Sequence, residues 1–134
     1  MQLPVTSITA AVTAFLLLIL AILTVRRRLQ IKAAFGDAGD QTLISAMRSH
    51  GNLAEHAPII LIMLALLENA KANATILATI AAIFVLGRVA HAIGLHQASE
   101  PGKAPLARQI GVIATWITMA VLAILLLIGV FQLG

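Results

Sequence analysis

The chain has 134 residues, 60% of them hydrophobic and 10% charged, with a mean hydropathy of +1.02 and a formal net charge of +4. Soluble domains run near ~45–50% apolar and ~25% charged, so the bilayer is the solvent of this chain, and its positive charge reads as membrane topology rather than nucleic-acid binding. With no cysteine, the chain has no disulfide framework, no thiolate nucleophile of its own and no Cys-based metal site.

A single domain over 1–134 is expected, with about four spans of ~20 residues each. The first span is predicted over about 4–25. It lacks a basic leading region, its apolar run is long, and Arg26, Arg27 and Arg28 follow like a stop-transfer anchor. It therefore reads as a retained span rather than a cleaved signal. Residues 4–25 contain no ionisable group and are expected to face lipid. The loop 26–40 holds four basic residues, two aspartates and two glycines.

The second helix is predicted over about 41–70. Its purely apolar run, Ala57 to Leu67, is 11 residues long. At ~1.5 Å per residue that is too short to cross ~30 Å of hydrocarbon. The polar half before it, with Arg48, His50, Asn52, Glu55 and His56, is therefore expected at membrane depth. The short turn "KANA" favours an antiparallel third helix over about 74–97. Pro101 and Gly102 end it, and Pro105 opens a fourth helix over about 105–132.

Lys and Arg are distributed unevenly. Arg26, Arg27, Arg28, Lys32, Lys103 and Arg108 share one side, and Lys71 is alone on the other. The positive-inside rule puts the basic loops in the cytoplasm and both termini outside.

Three helices thus bring ionisable groups to one slab near the cytoplasmic face. Arg48, Asn52 and Glu55 are spaced i, i+4, i+7 and form one stripe, with His56 one position off it. Arg88, His91 and Leu95 make a similar stripe on the third helix. A charge at membrane depth costs several kcal/mol (roughly 2.5–3.5 for Arg at a helix centre), so such groups point into protein or a wet cavity and pair. Glu55 is expected to pair with Arg88 or Arg48. Two readings follow: a structural network holding helices or subunits in register, or a site for a small carboxylate-bearing anion. The surplus of guanidinium over carboxylate favours the site, since guanidinium forks grip carboxylates bidentately.

The segment "RSHGNLAEHAP", with Arg-x-x-x-Asn-x-x-Glu at 48, 52 and 55, resembles the signature of the MAPEG family, membrane-associated proteins in eicosanoid and glutathione metabolism. "LGRVAHAIGL" at 86–95 is similar to the third-helix segment of bacterial members, and "RQIGVIAT" at 108–115 to the opening of their fourth helix. The resemblance spans about 40–118. It implies an all-α integral membrane protein, a left-handed bundle of four transmembrane helices forming a homotrimer in a bacterial inner membrane. It also implies glutathione as co-substrate, bound at subunit interfaces open to the cytosol. By matching positions, Arg48, Asn52, Glu55 and Arg88 would bind glutathione; His56 and His91, standing where relatives carry tyrosines, are counted as binding candidates with them, with helix packing the alternative for His91. Lys103, Arg108 and His91 are candidates for contact with its sulfur. A cationic field would lower the thiol pKa, and the membrane would deliver a lipophilic substrate.

The implied activity is a glutathione-dependent transferase or peroxidase acting on lipophilic electrophiles. The chain departs from catalytic relatives in having His56 where they often have tyrosine, and no tyrosine anywhere. A non-catalytic trimer that binds glutathione, a lipid or a partner is therefore the alternative. A small multidrug exporter ranks below both, because it would want an acidic residue in the first span.

Other signals read as structural. The four histidines lack a ligand spacing. Ala90-x-x-x-Gly94 reads as a packing face and Trp116 as a packing residue. Asn73-Ala-Thr75 fits a glycosylation sequon. The Arg26–Arg28 run is most simply a topology anchor, with anionic-lipid contact as a second possibility.

Overall fold

The computed structural model describes residues 2–97 and 103–132, the last three by backbone alone. Within them the chain is four helices: α1 (Pro4–Ile31), α2 (Gln41–Asn69), α3 (Ala74–His96) and α4 (Leu106–Gln132). All four are long and apolar enough to cross a membrane. The fold is a four-helix transmembrane bundle without strands among the described residues.

The predicted boundaries hold within a residue or two, except at the end of α1. The Arg26–Arg28 run, placed in a loop by its charge, continues the helix to Ile31. Arginine is a good helix former, and cations near a C-terminus meet the negative end of the helix dipole. Pro4 occupies the first turn, where its missing N–H costs nothing, and Lys32 ends the helix at φ 55°. The sequon asparagine caps α3: Asn73 Oδ1 accepts from the Thr75 and Ile76 amides at 3.0 and 3.1 Å.

Two clamps tie α1 to α2, one at each end. At the basic end, Arg27 Nε donates to Asp40 Oδ1 at 2.9 Å and Nη2 pairs with Oδ2. Asp40 is also the N-cap of α2, accepting from the Leu43 amide at 2.7 Å. At the opposite end, α1 has no side-chain cap of its own. Glu68, in the last turn of α2, supplies it: its carboxylate accepts from the Val5 and Thr6 amides, both at 2.8 Å. In a bilayer, orphan amides of a helix start must be met by protein.

The core lies where α2, α3 and α4 meet, around Leu53, Ile60, Leu64, Leu77, Phe84 and Leu122. The outer faces are apolar instead of polar, as lipid requires: Ile8, Phe15 and Ile19 on α1, Ile113 and Ile117 on α4. Trp116 belongs to this outer set. Expected to pack, it is 62% exposed. Helix α1 packs on α2 and α3, and α4 on α3 and α2, while the backbones of α1 and α4 make no close approach within the described residues.

The capping geometry makes two predictions. The Asp40 carboxyl is held at about 2, below its ordinary 3.8, by the Arg27 hydrogen bond first and the Leu43 amide second. A depressed carboxyl stabilises above its unfolded pKa, and that contribution is lost as pH falls through the folded one. Thermal unfolding in detergent is expected to show a stability loss between about pH 4 and pH 2, a step that shrinks in Asp40→Asn. Glu68→Ala strands two amides and is expected to cost ~1–2 kcal/mol, seen as a lower Tm, with a smaller loss for Glu68→Gln.

Candidate functional site

Helix α2 has two faces. Ala46, Ser49, Leu53, Ala57, Ile60, Leu64 and Leu67 are buried against the bundle. Two positions on from Ala46, Leu53, Ala57, Ile60 and Leu64, about 200° around the helix, lie Arg48, Glu55, Ile59, Ile62 and Leu66, with Asn52 on the flank of that stripe. That second stripe points away from the bundle, with Asn52 half-buried and the others exposed. Its alternating spacing of four and three is the pattern of a helix that packs on another helix.

At the basic end this stripe runs into a cleft of about 610 Å³ between the start of α2, the end of α3 and the start of α4. Gln41, Ser45 and Arg48 form its α2 wall, His96 and Gln97 its α3 wall, and Arg108 its α4 wall. Two guanidiniums face the cavity, and no carboxylate lines it among the described residues. The arrangement suits an anion with further hydrogen-bonding groups.

Of the residues singled out in the sequence, Arg48 and Arg108 meet in this cleft. Asn52 and Glu55 lie beyond its rim on the exposed stripe. Lys103 is exposed in the segment before α4, outside the lining. His56 is half-buried, its Nδ1 paired with the Asn52 carbonyl at 2.8 Å, and Asn52 Nδ2 donates to the Arg48 carbonyl at 3.2 Å. Both thus spend their polarity on the preceding turn of their own helix. Gln41, Ser45 and His96 were not predicted as site residues. The signal for two of them was present: the 48, 52, 55 spacing extended backwards lands on Ser45 and Gln41.

The expected Glu55–Arg88 pair does not form, nor does Glu55–Arg48. Glu55 makes no ion pair within the described residues. Arg48 and Glu55 are two turns apart, about 10 Å along the axis. Arg88 faces the other way. It is 3% exposed, and its Nη2 donates to the Gly111 carbonyl of α4 at 2.7 Å. His91 is equally buried, with Nδ1 against the Arg108 carbonyl at 3.3 Å. Neither lines the cleft. His91 and Arg88 sit about 7 and 12 Å deeper along α3 than His96.

Glycines let α3 and α4 come this close. A Cβ on Gly94 would collide with the backbone of Arg108, and one on Gly87 would lie 2.9 Å from Ala114 Cβ. A Cβ on Gly111 would meet His91 and the Gly87 carbonyl. The expected packing pair of Ala90 and Gly94 is therefore replaced by Gly87 and Gly94, one heptad apart, Gly87 facing Gly111 and Gly94 facing Arg108. Gly94→Ala is expected to force α4 away from α3 at a cost of ~1–3 kcal/mol. Gly129→Ala, with nothing within 4 Å, should leave the detergent Tm unchanged.

A family model described as "MAPEG family" matches residues 6–128. The chain is similar to inner membrane protein YecN of Escherichia coli strains K12 and O6:H1, 29% identical over 120 residues in each case. The alignment covers 90% of this chain and 88% of each of those proteins. No solved structure matches the chain.

Proposed function

Since the chain belongs to the MAPEG family, we propose that the cleft at its basic end binds glutathione and presents it as a thiolate to lipophilic electrophiles. The observation that carries this reading is the pairing of Arg48 and Arg108 across one cleft with no carboxylate in its described lining. Glutathione has two carboxylates, an ammonium and a thiol. The guanidiniums suit the carboxylates, and Gln41 and Ser45 suit the peptide groups. The positive field favours the thiolate, so the thiol proton leaves to solvent. The sulfur lone pair then bonds to the electrophilic carbon, and the leaving group departs with its electron pair. With a lipid hydroperoxide the thiolate attacks oxygen instead. The O–O bond breaks to give a glutathione sulfenic acid and an alkoxide that takes a proton, and the thiol of a second glutathione then displaces the sulfenic oxygen as water and closes the disulfide. Either way glutathione supplies the sulfur that this cysteine-free chain lacks.

The site is completed by self-association, expected as a homotrimer. The exposed stripe of α2 supports this. Arg48 and Glu55 cannot face hydrocarbon cheaply, while Ile59, Ile62 and Leu66 continue the same line as a helix-packing seam. A neighbouring protomer on that seam would cover the stripe, and Asn52 and Glu55 would then border the cleft mouth, where Glu55 can receive the glutathione ammonium. The lysine and arginine bias points the cleft to the cytoplasm, where glutathione is reduced. The relatives are described as inner membrane proteins, which supports an inner-membrane location and leaves the facing of the cleft to the charge bias.

A second reading, binding without turnover, is favoured by the absence of tyrosine, because no phenol is available to hydrogen-bond the thiolate. One experiment separates them. In detergent, glutathione titration is expected to raise a thiolate absorbance band and to support conjugation of a general aromatic electrophile. Arg48→Ala and Arg108→Ala should each weaken glutathione at least ~tenfold, the loss of one charge-assisted bidentate bond, with the oligomer intact. Binding without the band or the product would establish the second reading. No calorimetric binding at all would remove both.

A further inference from the structure

We propose that Arg88 and His91 are positioning residues: they bolt α4 to α3 in one register and so set where the Arg108 guanidinium stands in the cleft. The inference rests on the reading of that cleft as the glutathione site, but its geometry does not.

Both side chains end on α4 backbone. Arg88 reaches the Gly111 carbonyl and His91 the Arg108 carbonyl. The two donors are three residues apart on α3. Their acceptors are three apart on α4, in the reverse sense. Antiparallel helices in fixed register pair in just this way, and a one-residue slip of α4 would break both contacts. Gly94 meets the backbone of Arg108 itself, and Gly111 meets both Gly87 and His91. The first two turns of α4 are therefore gripped from α3 by two hydrogen bonds and by close backbone contact.

The Gly111 carbonyl is a hub. It accepts from Arg88 and also from the Thr115 hydroxyl at 2.9 Å, with Thr115 buried. A charge-assisted bond inside a dry bundle is stronger than the same bond in water. Leaving the guanidinium without it would be expensive. Arg88 Nε and Nη1 and His91 Nε2 have no partner among the described residues. These atoms are closed off from solvent, and neither residue lines the cleft. A ligand in the cleft meets Arg108, and Arg108 stands where these two residues hold its backbone.

The test uses the absence of cysteine. Nitroxide labels at Gln41→Cys on α2 and Gln109→Cys on α4 span the cleft, and labelled chains are diluted with unlabelled ones so that distances within one protomer dominate. Pulsed electron resonance is expected to give one narrow distance distribution in the parent chain. Arg88→Gln and His91→Ala should shift or broaden it. Arg88→Lys, which keeps a donor for the Gly111 carbonyl, and His91→Asn, which keeps one near the Nδ1 position, should largely restore it. A merely stabilising role would lower the Tm and leave the distribution of the folded protein unchanged, which would overturn the proposal.

The second arm is glutathione affinity in unlabelled protein. Arg88→Gln should weaken binding, yet add little to the loss already caused by Arg108→Gln, because residues acting through one contact are non-additive. Additive losses with an unchanged distance distribution would mean that Arg88 touches the ligand, and would sink the inference while leaving the site. Should the parent chain fail to bind glutathione, the functional reading falls and the distance arm still decides the positioning role. Poor folding of Arg88→Gln would leave the milder His91→Ala and His91→Asn pair to decide it.

Discussion

Hydrocarbon offers no hydrogen bonds, so a polar group at membrane depth must find its partner within protein. Most of this structure follows from that constraint. Glu68 exists where the first amides of α1 would otherwise be orphaned. The Arg88 guanidinium is driven onto a backbone carbonyl, since no carboxylate among the described residues pairs with it. Asn52 and His56 turn back on their own helix. Where the constraint is left unmet within one protomer, along Arg48 and Glu55 on the outer face of α2, the surface is the one that calls for a neighbour.

The glycines of α3 and α4 make the constraint satisfiable. A guanidinium or imidazole can reach a backbone carbonyl on the next helix only if the two backbones run close, and Gly87, Gly94 and Gly111 remove the side chains that would hold them apart. The same closeness brings the start of α4 against the end of α3, so that Arg108 and His96 wall one cavity. Packing and site are thus one event: the contact that excludes lipid between α3 and α4 also builds two of the three walls. The third wall comes from α2, whose start is placed by Asp40, capping the helix while paired with Arg27.

The division of labour among basic residues is clear in these terms. Arg27 fastens a helix start and Arg88 a helix pair. Arg28 closes the α1–α2 turn by donating to the Gly36 carbonyl at 2.9 Å. Arg48 and Arg108 are the ones turned to a shared cavity. A count of positive charge in the sequence lumps all of these together. The surplus that matters for anion binding is the smaller set left after the structural ones are spent.

The sequence by itself determined the solvent of the fold, the number of spans, the charge asymmetry between the two ends and the polar stripe of α2. Composition and helical periodicity are properties of one segment at a time, and they survive without knowledge of any neighbour. It also carried the family signature, since Arg48, Asn52 and Glu55 lie within eight consecutive residues. What it could not decide was which way each stripe faces. Arg88 and His91 share a helix face just as Arg48 and Glu55 do, yet one pair turns inward to α4 and the other outward. That choice depends on the rotation of each helix about its axis, which is set by contacts such as Gly94 on Arg108, made between residues far apart in the chain. The Glu68 cap on α1, the Arg88 bond to Gly111 and the meeting of Arg48 with Arg108 are all of this kind, and only the tertiary structure decided them.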